Sequence, residues 1–134
     1  MNTEIDPRNL RGNGERILVV DDEPNILEML SELFSSNGFT VSLAWNAEKA
    51  LELFKEENGN FDLVFTDICL PGMNGLELAA KLTVKKPGLP ILLGSGALQD
   101  ESQLETIVEK GYPFISKPYR FTPLLKTVKQ LRSV

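Results

Sequence analysis

The residues best able to do chemistry stand where short apolar runs end. Ile17-Leu18-Val19-Val20 leads into Asp21-Asp22-Glu23, and Leu63-Val64-Phe65-Thr66 into Asp67. Ile91-Leu92-Leu93 is followed by Ser95 two residues on, and Phe114-Ile115-Ser116 by Lys117-Pro118. If those ends meet, Asp21, Asp22 and Asp67 crowd three like charges together, and each raises the cost of ionising the others. A divalent cation relieves that repulsion. An all-oxygen ligand set that keeps several waters suits Mg2+, with Mn2+ able to substitute. The bland alternative is a solvated acidic loop, and it weakens because a lysine closes the same edge.

What is missing narrows the chemistry further. The 134 residues include no His and one Cys. That removes Ser-His-Asp and Cys-His catalysis, His-ligated zinc and any role as a phosphohistidine donor. An internal disulfide is excluded as well. Fourteen Lys and Arg against nineteen Asp and Glu give a net charge of −5, which argues against direct nucleic-acid binding. The apolar run near the N-terminus is far too short for a signal-peptide core or a membrane span. A cytoplasmic protein without membrane contact is expected.

The elements that must position these groups follow from periodicity. Apolar runs at 17–20, 41–44, 63–66, 91–93 and 114–116 lack alternation, as strands of a parallel sheet covered on both faces do. Helical stripes separate them. The first carries Ile26, Leu27, Leu30, Leu33 and Phe34 and stops at Asn37-Gly38. The second carries Ala47, Ala50, Leu51 and Phe54 behind an Asn46 cap. The third starts at Asn74, with Glu77 as capping-box partner, and is expected to bury Leu76, Ala79 and Ala80. The fourth, near 100–110, is apolar only at Leu104, Ile107 and Val108 and should be the least firmly held. The fifth begins at Thr122-Pro123 and shows Leu124, Leu125, Val128 and Leu131.

Five strand–helix repeats predict an α/β fold: a (βα)5 doubly wound, five-stranded parallel sheet of flavodoxin-like type. Functional groups collect beyond the carboxyl ends of such strands, and the strand order 2-1-3-4-5 makes the first and third strands neighbours. Residues 1–15 are polar, with Pro7, Gly12 and Gly14, and read as a flexible leader or linker before a single domain at 16–134. Trp45 reads as packing or surface.

Here the sequence resembles the receiver domains of two-component response regulators. The resemblance rests on Ile17–Glu23, Phe61–Asp67, Leu70-Pro71-Gly72-Met73-Asn74-Gly75, Ser95-Gly96 and Lys117-Pro118, in the family's order and spacing. It implies that Asp67 accepts a phosphoryl group from a phosphohistidine on a cognate histidine kinase or histidine phosphotransfer protein. It also implies that Asp22, Asp67 and the backbone carbonyl of Cys69 hold Mg2+, with Asp21 on metal-bound water. Lys117 would pair with Asp67 and later with a phosphate oxygen, Ser95 would donate its hydroxyl, and Gly96 would leave room. Pro71 and Gly75 would shape the loop, and Lys117-Pro118 resembles the family's cis peptide. The switch aromatic aligns with Phe114, which lacks the hydroxyl of the commoner Tyr, and Gly111-Tyr112-Pro113 departs from the family's usual residues. Cys69 and Ala97 carry no group to orient water, so a long-lived phosphoform is expected. A partner or homodimer surface is expected on the fourth helix, fifth strand and fifth helix.

Residues 11–16 and 87–93 resemble the C-terminal receivers of hybrid histidine kinases, so that origin is expected ahead of a stand-alone bacterial regulator. A phosphohydrolase with an Asp nucleophile is the rival reading. Cys69 stands where its second Asp belongs, which counts against it.

Overall fold

The computed structural model describes residues 10–96 and 101–132. Five strands, β1 (Arg16–Val20), β2 (Thr40–Ala44), β3 (Leu63–Asp67), β4 (Ile91–Ser95) and β5 (Phe114–Ser116), alternate with five helices. The helices are α1 (Pro24–Ser36), α2 (Ala47–Glu56), α3 (Gly75–Lys85), α4 (Glu101–Lys110) and α5 (Phe121–Arg132). All neighbouring strand pairs are parallel, in the order β2-β1-β3-β4-β5. The expected architecture is the one found. β3 and β4 are buried throughout, which is why their sequences show no alternation.

The two sheet faces carry separate cores. Leu18, Val20, Val64, Leu93 and Ile107 belong to one, and Ile17, Val19, Phe34, Phe65, Leu92 and Tyr119 to the other. Successive side chains of a strand point to opposite faces, so each strand feeds both cores alternately. β2 and β5 are edge strands and are only partly covered. Their apolar runs suggest burial on both faces, but an edge has a neighbour on one side alone.

Asn46 caps α2 by accepting from the Lys49 amide, and Asn74 with Glu77 forms the anticipated capping box on α3. The buried stripe of α3 differs from expectation. Leu78, Ala79 and Leu82 are buried with Gly75, Leu76 is half-buried, and Ala80 is exposed. Starting the helical wheel one residue differently turns the stripe, and small alanines do not mark its direction. On α4 Ile107 alone is buried among the residues whose burial is described, with Leu104 and Val108 exposed.

Residues 10–15, part of the expected leader, make defined contacts with the domain. Leu10 is buried in the second core, the Gly12 and Gly14 amides donate to the Asn37 and Gly38 carbonyls, and the Thr40 amide donates to the Glu15 carbonyl. Gly12 lies under Phe39, where an added Cβ would meet the ring at 2.6 Å. Its glycine serves close approach here rather than flexibility. Residues 1–9 of that leader lie outside the described residues, as does Ala97.

Candidate active site at the carboxyl edge of the sheet

β1 and β3 are adjacent and in register, with Val20 beside Thr66, so the residues that follow them meet. Carboxylate oxygens of Asp21, Asp22 and Asp67 all lie within 4.8 Å of one another. Asp21 and Asp67 are buried and Asp22 is exposed. The backbone supports the buried pair. The Glu23 amide donates to Asp21 Oδ1 at 2.9 Å, and the Cys69 amide to Asp67 Oδ1 at 3.1 Å.

Lys117 reaches in from the far side of β4. Its Nζ donates to Asp67 Oδ2 at 2.8 Å and lies 3.2 Å from Asp21 Oδ2 and 3.6 Å from Glu23 Oε1. Its own backbone amide donates to the Ser95 carbonyl at 2.8 Å, which ties the lysine to the end of β4. The Lys117-Pro118 peptide is cis. Burial opposes the ammonium charge, but hydrogen bonds to Asp67 and Asp21 outweigh it and raise the lysine's pKa. Asp21 is raised chiefly by burial and further by Asp67, against the Glu23 amide and Lys117. Burial likewise raises the Cys69 thiol.

Ser95 ends β4 directly beside this cluster, with Asp67 paired to Gly94 in the ladder. Its hydroxyl is buried and has no hydrogen-bond partner among the described residues. A buried polar atom is rarely left without a partner. An oxygen-rich ligand held beside Asp67 and Lys117 would supply one.

The donor set fits a hard divalent cation. Three carboxylates offer oxygen only, and half-buried Cys69 follows Asp67 by two residues. Gly75 keeps this loop tight: its amide donates to the Ile68 carbonyl, and an added Cβ would stand 2.1 Å from the Asp67 carbonyl oxygen. The position therefore needs close approach more than turn formation. Pro71 is exposed in the same loop.

Sequence reasoning singled out Asp21, Asp22, Glu23, Asp67, Ser95 and Lys117, and missed Tyr119, whose ring lies near Lys117, and Gly94, which pairs with Asp67. Phe114 stands apart from it, 42% exposed at the start of β5 and paired with Leu93 of β4. Trp45 is exposed, with Lys49 Nζ 5.3 Å from its ring centroid. No helix among the described residues is long and apolar enough to cross a membrane.

Residues 17–129 match the sequence model of the response regulator receiver domain. The probable transcriptional regulatory protein TcrX of Mycobacterium tuberculosis is 29% identical over 92% of this chain and 52% of its own length. The sensor kinase CckA of Brucella abortus is 29% identical over 86% of this chain and 12% of its own. The chain thus spans about half or less of these curated relatives. Among solved structures, a receiver domain protein from Methanospirillum hungatei is 31% identical with TM-score 0.80, covering 90% of this chain and 94% of that one. The response regulator TrrA of Thermotoga maritima, solved in complex with Mg2+ and BeF, is 39% identical with TM-score 0.75, covering 87% and 98%.

Proposed function

Since the chain belongs to the response regulator receiver domain family, we propose that Asp67 is its phosphoryl acceptor. A carboxylate oxygen of Asp67 attacks the phosphorus of a phosphohistidine on a histidine kinase or phosphotransfer protein. The P–N bond breaks as the P–O bond forms, its electron pair stays on the partner's imidazole nitrogen, and that nitrogen takes a proton from water as it leaves. The reading is carried by one arrangement: two buried carboxylates held by Lys117, beside a buried Ser95 hydroxyl that lacks a partner among the described residues.

Asp21, Asp22, Asp67 and the Cys69 carbonyl would hold Mg2+, the ion that accompanies BeF in the Thermotoga regulator. When bound, the cation neutralises charge on the transferring phosphoryl group. The chain's own residues do the rest. Lys117 exchanges its bond to Asp67 for one to a phosphate oxygen, a charge-assisted contact. The Ser95 hydroxyl donates to another. Lys117 and Ser95 are already tied through the backbone, so both move against one frame.

Readout then passes to β5 and α4. Ser95 shifts toward the phosphate, and Phe114 turns from solvent toward the space it leaves. Exposed Leu104, Val108 and Phe114 give this side an apolar surface suited to a partner or a second copy. A hybrid histidine kinase is the favoured origin, given the likeness to the Brucella sensor kinase, with a stand-alone bacterial regulator as the alternative; either would work in the cytoplasm.

Intact mass after incubation with Mg2+ and phosphoramidate tests the reading. Wild type gains one phosphoryl group; Asp67→Asn and an EDTA control gain none. No adduct on wild type would overturn phosphoryl acceptance and leave a phosphorylation-independent interaction module.

A further inference from the structure

Tyr119 lies two residues beyond Lys117 and just ahead of α5, and it is buried to 9% exposure. Its ring packs on Phe65 with centroids 5.1 Å apart, and Lys117 Nζ lies 5.9 Å from its centroid. The hydroxyl end reaches over β4 at Gly94. A Cβ there would stand 1.9 Å from Tyr119 Oη, 2.8 Å from Cζ and 3.1 Å from Phe65 Cε1. The side chain of Tyr119 thus fills the volume that any other residue at 94 would claim.

Gly94 sits at a sensitive place. It pairs with Asp67 in the ladder, and its carbonyl accepts from the Ile68 amide. The next residue, Ser95, holds the Lys117 backbone. The segment 117–119 is therefore fastened to two consecutive residues of β4, by backbone at Ser95 and by side chain at Gly94. The lysine ammonium projects from this fastened segment onto Asp67.

We propose that Tyr119, seated over Gly94, is a positioning residue that holds Lys117 on Asp67 and so sets the rate of phosphoryl acceptance. This rests on the reading of Asp67 as acceptor. Lys117 needs such a fixture because a lysine stem is flexible and its ammonium is a point charge without directional fork. Gly94 is the complementary half: its missing side chain is the seat.

Gly94→Ala tests it, with Gly94→Ala/Tyr119→Phe as the relieving partner. Expelling the tyrosine should slow phosphorylation by phosphoramidate at saturating Mg2+ by roughly tenfold to a hundredfold, as small misplacements of reacting groups do. Calorimetric titration with Mg2+ alone should show affinity kept or tightened, because a loosened Lys117 competes less for Asp21 and Asp67. The double variant removes the 1.9 Å clash but keeps the ring edge at 2.8 Å, so it should regain part of the rate. General damage to the fold would instead weaken Mg2+ binding and rate together, with no recovery in the double variant, and would overturn the proposal. So would a wild-type rate in Gly94→Ala. A readout free of metal and donor separates the two readings: the Lys117 ammonium signal in proton–nitrogen spectra should be sharp in wild type and lost in Gly94→Ala. If that signal is lost while wild type takes no phosphoryl group, the positioning stands and the acceptor reading falls.

Discussion

Asp21 is buried with its carboxylate beside that of Asp67 and within reach of the Lys117 ammonium. Burial and the neighbouring Asp67 raise its pKa, so its charged form is less favourable in the fold than in the open chain. A raised group contributes stability fully below its unfolded value, about 3.9 for Asp, and that contribution is lost as pH rises through the folded value. At neutral pH, charged Asp21 should therefore cost the fold stability, a cost that a cation bound beside it would relieve. Asp21→Asn should melt higher than wild type in EDTA and lose most of the gain that Mg2+ gives wild type, a gain of about 2.7 kcal/mol at a hundred times Kd. Differential scanning calorimetry with and without Mg2+ checks both halves. Lys117 has the opposite balance: its pKa is raised by bonds to Asp67 and Asp21, so its contribution persists across neutral pH and fades only in strong alkali. Lys117→Met should lower the melting temperature in EDTA and tighten Mg2+ binding, two shifts measurable on the same samples. The residue types of this cluster were legible in the sequence, because charges set at the ends of buried apolar runs are costly unless they meet a partner. The seat of Tyr119 over Gly94 was not, since a close approach between side chain and backbone leaves no trace in spacing.

Elements differ in how firmly they are held, and the two assigned above to readout under the proposed function are the least buried. β1 and β3 are almost wholly buried at the centre of the sheet, whereas β5 is three residues long with Phe114 exposed. α4 keeps its place through Ile107, 3% exposed, while Leu104 is 45% and Val108 71% exposed. Few buried contacts mean low local stability, and switching elements come from that end of the scale. Amide exchange should accordingly be fastest in α4 and β5 and slowest in β1 and β3. Ile107→Ala should cost ~2–4 kcal/mol in urea melts, whereas Val108→Ser should stay within about 0.5 kcal/mol. A thin α4 was legible as three apolar residues in ten; which of the three is buried was not. The phase of α3 escaped for a related reason. Leu78 and Leu82 hold its stripe, but Leu76 and two alanines offered an equally regular one.

Across the whole molecule, chemistry and anchorage occupy opposite ends of the sheet. The acidic cluster lies beyond the carboxyl ends of the strands, and residues 10–15 pack beside the amino ends of β1 and β2. Gly12 and Gly38 make that packing possible: a Cβ on Gly12 would meet Phe39 at 2.6 Å, and one on Gly38 would meet the Gly12 carbonyl oxygen at 2.4 Å. Glycine in a polar segment signals a loose linker or a tight contact with equal force, and the lack of an apolar period tipped the reading to the linker. The separation has a measurable consequence. Gly12→Ala must push Phe39 aside, and overpacking of that kind costs ~1–3 kcal/mol. The urea midpoint should fall accordingly. Mg2+ affinity and the rate of phosphorylation by phosphoramidate should not change, because β1 and β3, which join the two ends, are almost wholly buried and packed on both faces. A Gly12→Ala protein that lost both stability and phosphorylation would show instead that the amino-end segment reaches the site through the strands that join them.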